Sequence, residues 1–124
     1  MRVFRNAWFA RFARKEKISA GALLEAVDRA EKGLIDANLG GGVIKQRVAR
    51  SREGKSGGYR TLVLYRKGEK AFFVFGFPKN ARANIRDDEE EQFKRAARIT
   101  LALSDEQIRL LIENGQFEEV SPNG

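Results

Sequence analysis

Between Lys45 and Arg82 the chain sets eleven lysines and arginines against only two carboxylates, Glu53 and Glu69. Lys45 and Arg47 stand two apart in VIKQRV, and Arg50, Arg52 and Lys55 follow in RSREGK. Arg60 lies in YRTLVLY, and Lys79 and Arg82 come after the run AFFVFGF. Cations gathered on one surface hold backbone phosphates through charge and counterion release, without reading bases. Any one of them alone would be ordinary solvated surface, but their concentration argues for an anionic partner. The rest of the 124 residues lacks this bias: residues 1–44 carry net +3, residues 45–82 net +9 and residues 83–124 net −5. Tyr59, beside Arg60, carries a ring that either stacks on a base or packs within its strand.

The composition excludes other chemistry. There is no cysteine, hence no disulfide or thiolate metal site, and no histidine, hence no Ser/His or Cys/His nucleophile pair. A P-loop reading of Gly54-Lys55-Ser56 fails twice. Position 49 is alanine where the motif needs glycine, and Gly57-Gly58 lead into a strand rather than a helix. The acidic run from Asp87 to Glu91 suits the positive end of a helix better than a metal, because helical geometry spreads its carboxylates around the axis. No metal and no cofactor is expected.

The elements that must position these cations are legible in the hydrophobic period. Val3-Phe4 suggest a short first strand. Phe4, Trp8, Phe9 and Phe12 recur at helical spacing, predicting a helix from about Asn6 to Lys17 with Arg11, Arg14 and Lys15 opposite. Interleaved aromatics and arginines also occur on RNA-binding surfaces, but a core-facing stripe is the simpler reading. Ser19 is placed to cap a second helix carrying Leu23, Leu24, Val27, Ala30 and Leu34, with Gly33 at its stop. Asp36–Gly42 reads as a loop.

From Val43 the period becomes two, setting Lys45 and Arg47 on one face and Ile44, Gln46 and Val48 on the other. Tyr59–Arg66 and Ala71–Phe77 are further strands, joined by a hairpin at residues 67–70, and Gly76 marks a bulge or a close backbone approach. A helix opens at Asp87, and Ser104-Asp105-Glu106-Gln107 caps a last one ending at Gly115. The expected order is (β)ααβββαα. This is an α+β domain over residues 1–115: a small antiparallel sheet of three to four strands against an N-terminal αα-hairpin, then C-terminal helices and a flexible tail at 116–124.

The stretches WFARFARKE (Trp8–Glu16), GGGVIKQRVAR (Gly40–Arg50), GKSGGYR (Gly54–Arg60) and PKNARANI (Pro78–Ile85) resemble the RelE/HigB-like toxins of bacterial type II toxin–antitoxin modules, in the RelE/ParE superfamily. The resemblance implies the RelE-like fold and a ribosome-dependent endonuclease that cuts translated mRNA in the decoding site. It also implies an antitoxin partner, often a helix-turn-helix protein. It carries the role of surrounding the scissile phosphate to Lys45, Arg47, Lys55, Arg60 and Lys79, leaving Arg50, Arg52, Tyr59 and Arg82 to contact RNA. Relatives commonly have glutamate where this chain has Ala81, and many have tyrosine near the end of the strand holding Phe75 and Phe77.

Such chemistry works without histidine or metal, because RNA supplies its own nucleophile, the 2′-OH. Arg47 and Arg60 would stabilise the phosphorane, and Lys45 or Lys55, crowded by like charges, would manage protons. A non-cleaving RNA- or ribosome-binding module is the alternative. A gyrase-directed toxin ranks third, since that branch generally lacks the cationic constellation. With no apolar run near the ~20 residues of a bilayer span and no signal-peptide pattern at the N-terminus, a cytoplasmic protein is expected.

Overall fold

The computed structural model describes residues 1–49, 58–81 and 84–122. The chain runs β1 (Arg2–Asn6), α1 (Ala7–Glu16), α2 (Ala20–Glu31), β2 (Ala37–Gly40), β3 (Val43–Val48), β4 (Tyr59–Arg66), β5 (Lys70–Pro78), α3 (Asp87–Thr100), α4 (Asp105–Glu113) and β6 (Phe117–Glu119). The strands form one six-stranded mixed sheet in the order β2-β3-β4-β5-β1-β6, with β1 parallel to β5 and the other pairs antiparallel.

The α+β class expected from the sequence is found, but the sheet is mixed rather than antiparallel, because β1 lies parallel beside β5, and it is enlarged at both edges. Residues 37–40, expected as loop, pair with β3. Residues 117–119, expected as tail, pair with β1, and Val120 N–H donates to Val3 O at 2.8 Å. Both strands are too short to show a period. The tail strand is also held through side chains: Arg2 binds Glu119 at 3.0 Å and Arg5 binds Glu118 at 2.9 Å.

Two apolar clusters, one per face, make three layers. On one face Phe9, Ala13, Leu23, Ala26 and Val27 of the first two helices meet Ile44, Val48, Val63 and Phe73. On the other, Ala97, Leu101 and Ile108 meet Phe4, Val43, Leu62, Leu64 and Phe72. The expected αα-hairpin is replaced by two helices that each rest on the sheet, α1 on β5 and β1, α2 on β3. Phe4 lies in the expected first strand, β1, but not with the aromatic stripe of the first helix: it is in the opposite cluster. Trp8 stays 39% exposed, stacked on Phe12.

The helix boundaries follow their capping residues. Asn6 Oδ1 accepts from Phe9 N–H at 2.7 Å, Ser19 Oγ from Ala22 N–H at 3.1 Å, and Ser104 and Gln107 form the expected reciprocal box. Leu34, expected on a buried helical face, lies past the helix and is 60% exposed.

One irregularity in β5 governs which side chains reach the basic region. Leu62 pairs with Phe75 but Val63 with Phe73, so Val74 is an extra residue. That β-bulge moves Phe75 and Phe77 to the α3 face, while Gly76 turns toward α1. A Cβ on Gly76 would lie 2.9 Å from Phe12 Cε2 and 3.2 Å from Phe9 Cε2, so glycine is what lets α1 approach the strand.

Candidate active site

The alternation of β3 is found as expected. Val43 joins the α3-side cluster, and Lys45 and Arg47 extend the same face beyond it, while Ile44 and Val48 pack under the first two helices. Gln46 shares that inner face and is 1% exposed. Register then sets Arg60 of β4 directly opposite Arg47, with Phe77 of β5 on its other side. Like charges facing each other across a strand pair oppose folding, by about 0.2–1 kcal/mol. Lys79 follows the end of β5, where its N–H donates to Gly58 O at 3.1 Å.

Lys45, Arg47, Arg60 and Lys79 together line a cleft of about 190 Å³, with Asp36, Ala37, Gly58 and Tyr59 completing its wall. Among the described residues none of the four cations makes an ion pair. Lys45 Nζ instead donates to Asn84 Oδ1 at 2.9 Å, a neutral partner. Arg60 is half-buried, and its Nε is a buried donor with no hydrogen-bond partner among the described residues. Buried polar atoms are ordinarily satisfied, so this donor is available to an acceptor that a ligand or a water would bring. Elsewhere several basic side chains are matched: Arg2, Arg5, Arg14, Arg29 and Arg109 all have carboxylate partners. An acceptor-only group with several oxygens, such as a phosphate, answers what the cleft presents.

Of the residues predicted from sequence, Lys45, Arg47, Arg60 and Lys79 are therefore brought together. Arg50, Arg52, Lys55 and Arg82 lie outside the described residues. Tyr59 packs within the fold. Its side chain is in the α1-side cluster, 1% exposed, edge-on to Phe12, and its hydroxyl donates to Glu16 Oε1 at 3.0 Å. Position 59 has opposite parity to Arg60, and a strand sends such neighbours to opposite faces. Tyr65 also lies on the α1 side, where it bonds Glu31, so neither tyrosine supplies a phenol to the cation face.

Sequence reasoning missed Asp36 and Asn84. Asp36 sits in a stretch read as loop, and no local pattern separates a lone loop aspartate from solvated surface. Among the described residues no three His, Cys, Asp or Glu side chains are grouped to hold a metal, and no helix is long and apolar enough to cross a membrane.

No curated protein matches the chain. At the level of families, however, the one described as the RelE toxin of the RelE/RelB toxin–antitoxin system matches residues 1–120, which span all six strands and four helices. The chain belongs to the RelE toxin family.

Proposed function

We propose that this toxin is an endoribonuclease that cuts mRNA during translation, using the 2′-OH of its substrate as nucleophile and no metal. The observation that carries the reading is the cleft lined by four cations without ion-pair partners among the described residues, one of which, Arg60, has a buried Nε with no hydrogen-bond partner among those residues. Arg47 and Arg60, opposed across the strands, would clamp a phosphorane from two sides, where a bidentate guanidinium is most effective. Lys45 and Lys79 would neutralise the flanking phosphates and protonate the leaving oxygen. The ribosome would hold the mRNA for a domain too small to orient it alone. A cognate antitoxin, expected to be a helix-turn-helix protein, would hold the toxin inactive in the cytoplasm.

The absence of a tyrosine phenol on the cation face, together with Ala81, favours a second reading, a toxin that binds RNA or ribosomes without cutting. Primer extension on translated mRNA with ribosomes present separates the two, comparing the parent with Arg60→Ala. Breaks within codons that disappear in the variant support the nuclease. Intact mRNA on stalled ribosomes would replace it with the binder. Either way, four phosphate contacts predict a slope of about −3 in log affinity against log salt for single-stranded RNA.

A further inference from the structure

The cleft holds four cations but, among its described lining residues, only one carboxylate, and nothing in the reading above uses it. Asp36 is fixed from two directions. Its N–H donates to Gln46 Oε1 at 3.1 Å, and its Oδ2 accepts the Arg47 N–H at 2.5 Å. Gln46 is itself locked, with Nε2 donating to Ala26 O at 2.9 Å and to Leu34 O at 3.0 Å. One buried amide thus ties α2, the segment after it and β3 together at the point where Asp36 meets the cleft. Among the described residues the second carboxylate oxygen, Oδ1, has no hydrogen-bond partner.

Asp36 thus lines the cation cleft with one carboxylate oxygen uncommitted among the described residues. We infer that Asp36 is the proton acceptor of the cleavage reaction, a role that rests on the nuclease reading. Its carboxylate takes the proton from the ribose 2′-OH as O2′ forms its bond to phosphorus. The P–O5′ bond breaks, and its electron pair leaves on O5′, which takes a proton from a cleft lysine, Lys45 or Lys79. The products are a 2′,3′-cyclic phosphate and a 5′-hydroxyl. Asp36 then releases its proton to solvent and the lysine regains one. The charged groups around Asp36 are Lys45 and Arg47 of β3, Arg60 of β4, Lys79 beyond β5, and Arg29 of α2. Arg29 reaches Arg47 O while paired with Glu25.

Asp36→Asn discriminates, because an amide oxygen still accepts the Arg47 N–H but takes no proton. Single-turnover cleavage of mRNA on stalled ribosomes, followed across pH, is the measurement. In the variant we expect a rate at least about 100-fold lower, loss of the acidic limb of the profile, an unchanged half-saturating toxin concentration and a melting temperature near the parent's. Asp36→Glu should recover at least about tenfold over Asp36→Asn, together with the limb. A parent chain that cuts no mRNA overturns the nuclease reading and this inference with it. A parent that cuts while Asp36→Asn cuts equally fast, or keeps its acidic limb, overturns the inference alone. Should Asp36→Asn fail to fold, the profile of Asp36→Glu is read instead. A rate or limb altered from the parent's supports the role, and an identical profile removes it.

Discussion

Arg60 is placed where the fold would be better served by an apolar side chain, so Arg60→Met is expected to stabilise the protein while abolishing its activity. A buried donor without a partner costs about 1–3 kcal/mol, and an opposing like charge across the strand pair about 0.2–1 kcal/mol. Both penalties fall on Arg60, through its Nε and through Arg47. Methionine keeps most of the aliphatic stem against Phe77 and removes both. After subtracting the packing that the guanidinium end provides, the gain should be about 1–2 kcal/mol, raising the melting temperature by about 5 °C in a chain of this size. Urea unfolding of parent and variant is the assay, the midpoint rising at constant slope. Salt gives a control, since screening the Arg47–Arg60 opposition should stabilise the parent more than the variant. A variant less stable than the parent by about 1 kcal/mol or more would refute the reasoning, because Arg60 would then contribute to the fold, as a satisfied donor does, and its Nε would indicate nothing about a ligand.

Gly76→Ala should lower stability by about 1–3 kcal/mol in the same urea assay, as the new methyl forces Phe12 and Phe9 off β5; an unchanged midpoint would mean α1 rides on the strand more loosely than these distances imply. Ending the chain after Gly115 should cost about 2–4 kcal/mol through loss of Phe117 and Val120 from the core, whereas a frayed tail would leave the midpoint where it was. The Tyr65–Glu31 bond should give a pH signature. The hydrogen bond from Tyr65, then that from Gly68 N–H, holds the Glu31 carboxyl below its usual 4.5, so the stability it adds is complete above that value and lost as pH falls through the lower folded one. Burial, then the bond to Glu31, raises the Tyr65 phenol above its usual 10.0, so that contribution is complete below that value and lost as pH rises through the folded one. The stability gap between the parent and Tyr65→Phe should therefore be flat from about pH 6 to 9 and narrow at both extremes; a gap independent of pH would show the bond contributes nothing.

Much of this protein was set by its sequence alone. Period-two alternation assigned Lys45 and Arg47 to one face and Ile44 and Val48 to the other, because a strand alternates wherever it pairs. The caps at Asn6, Ser19 and Ser104 fixed helix starts for the same reason, being bonds between residues three apart. Tertiary structure settled what depends on distant partners. The strands β2 and β6 are too short to declare themselves and exist only because β3 and β1 offer them edges. The bulge at Val74 follows from pairing with β4, and it places Phe77 beside Arg60 and Gly76 under α1. Asp36 reaches the cations through the Gln46 bonds and its own bond to the Arg47 N–H, which join segments ten to twenty residues apart. Composition could count the cations between Lys45 and Arg82. Only the folded sheet set Arg60 against Arg47 and left its Nε without a partner among the described residues, because register and burial are properties of strands brought together rather than of any one of them.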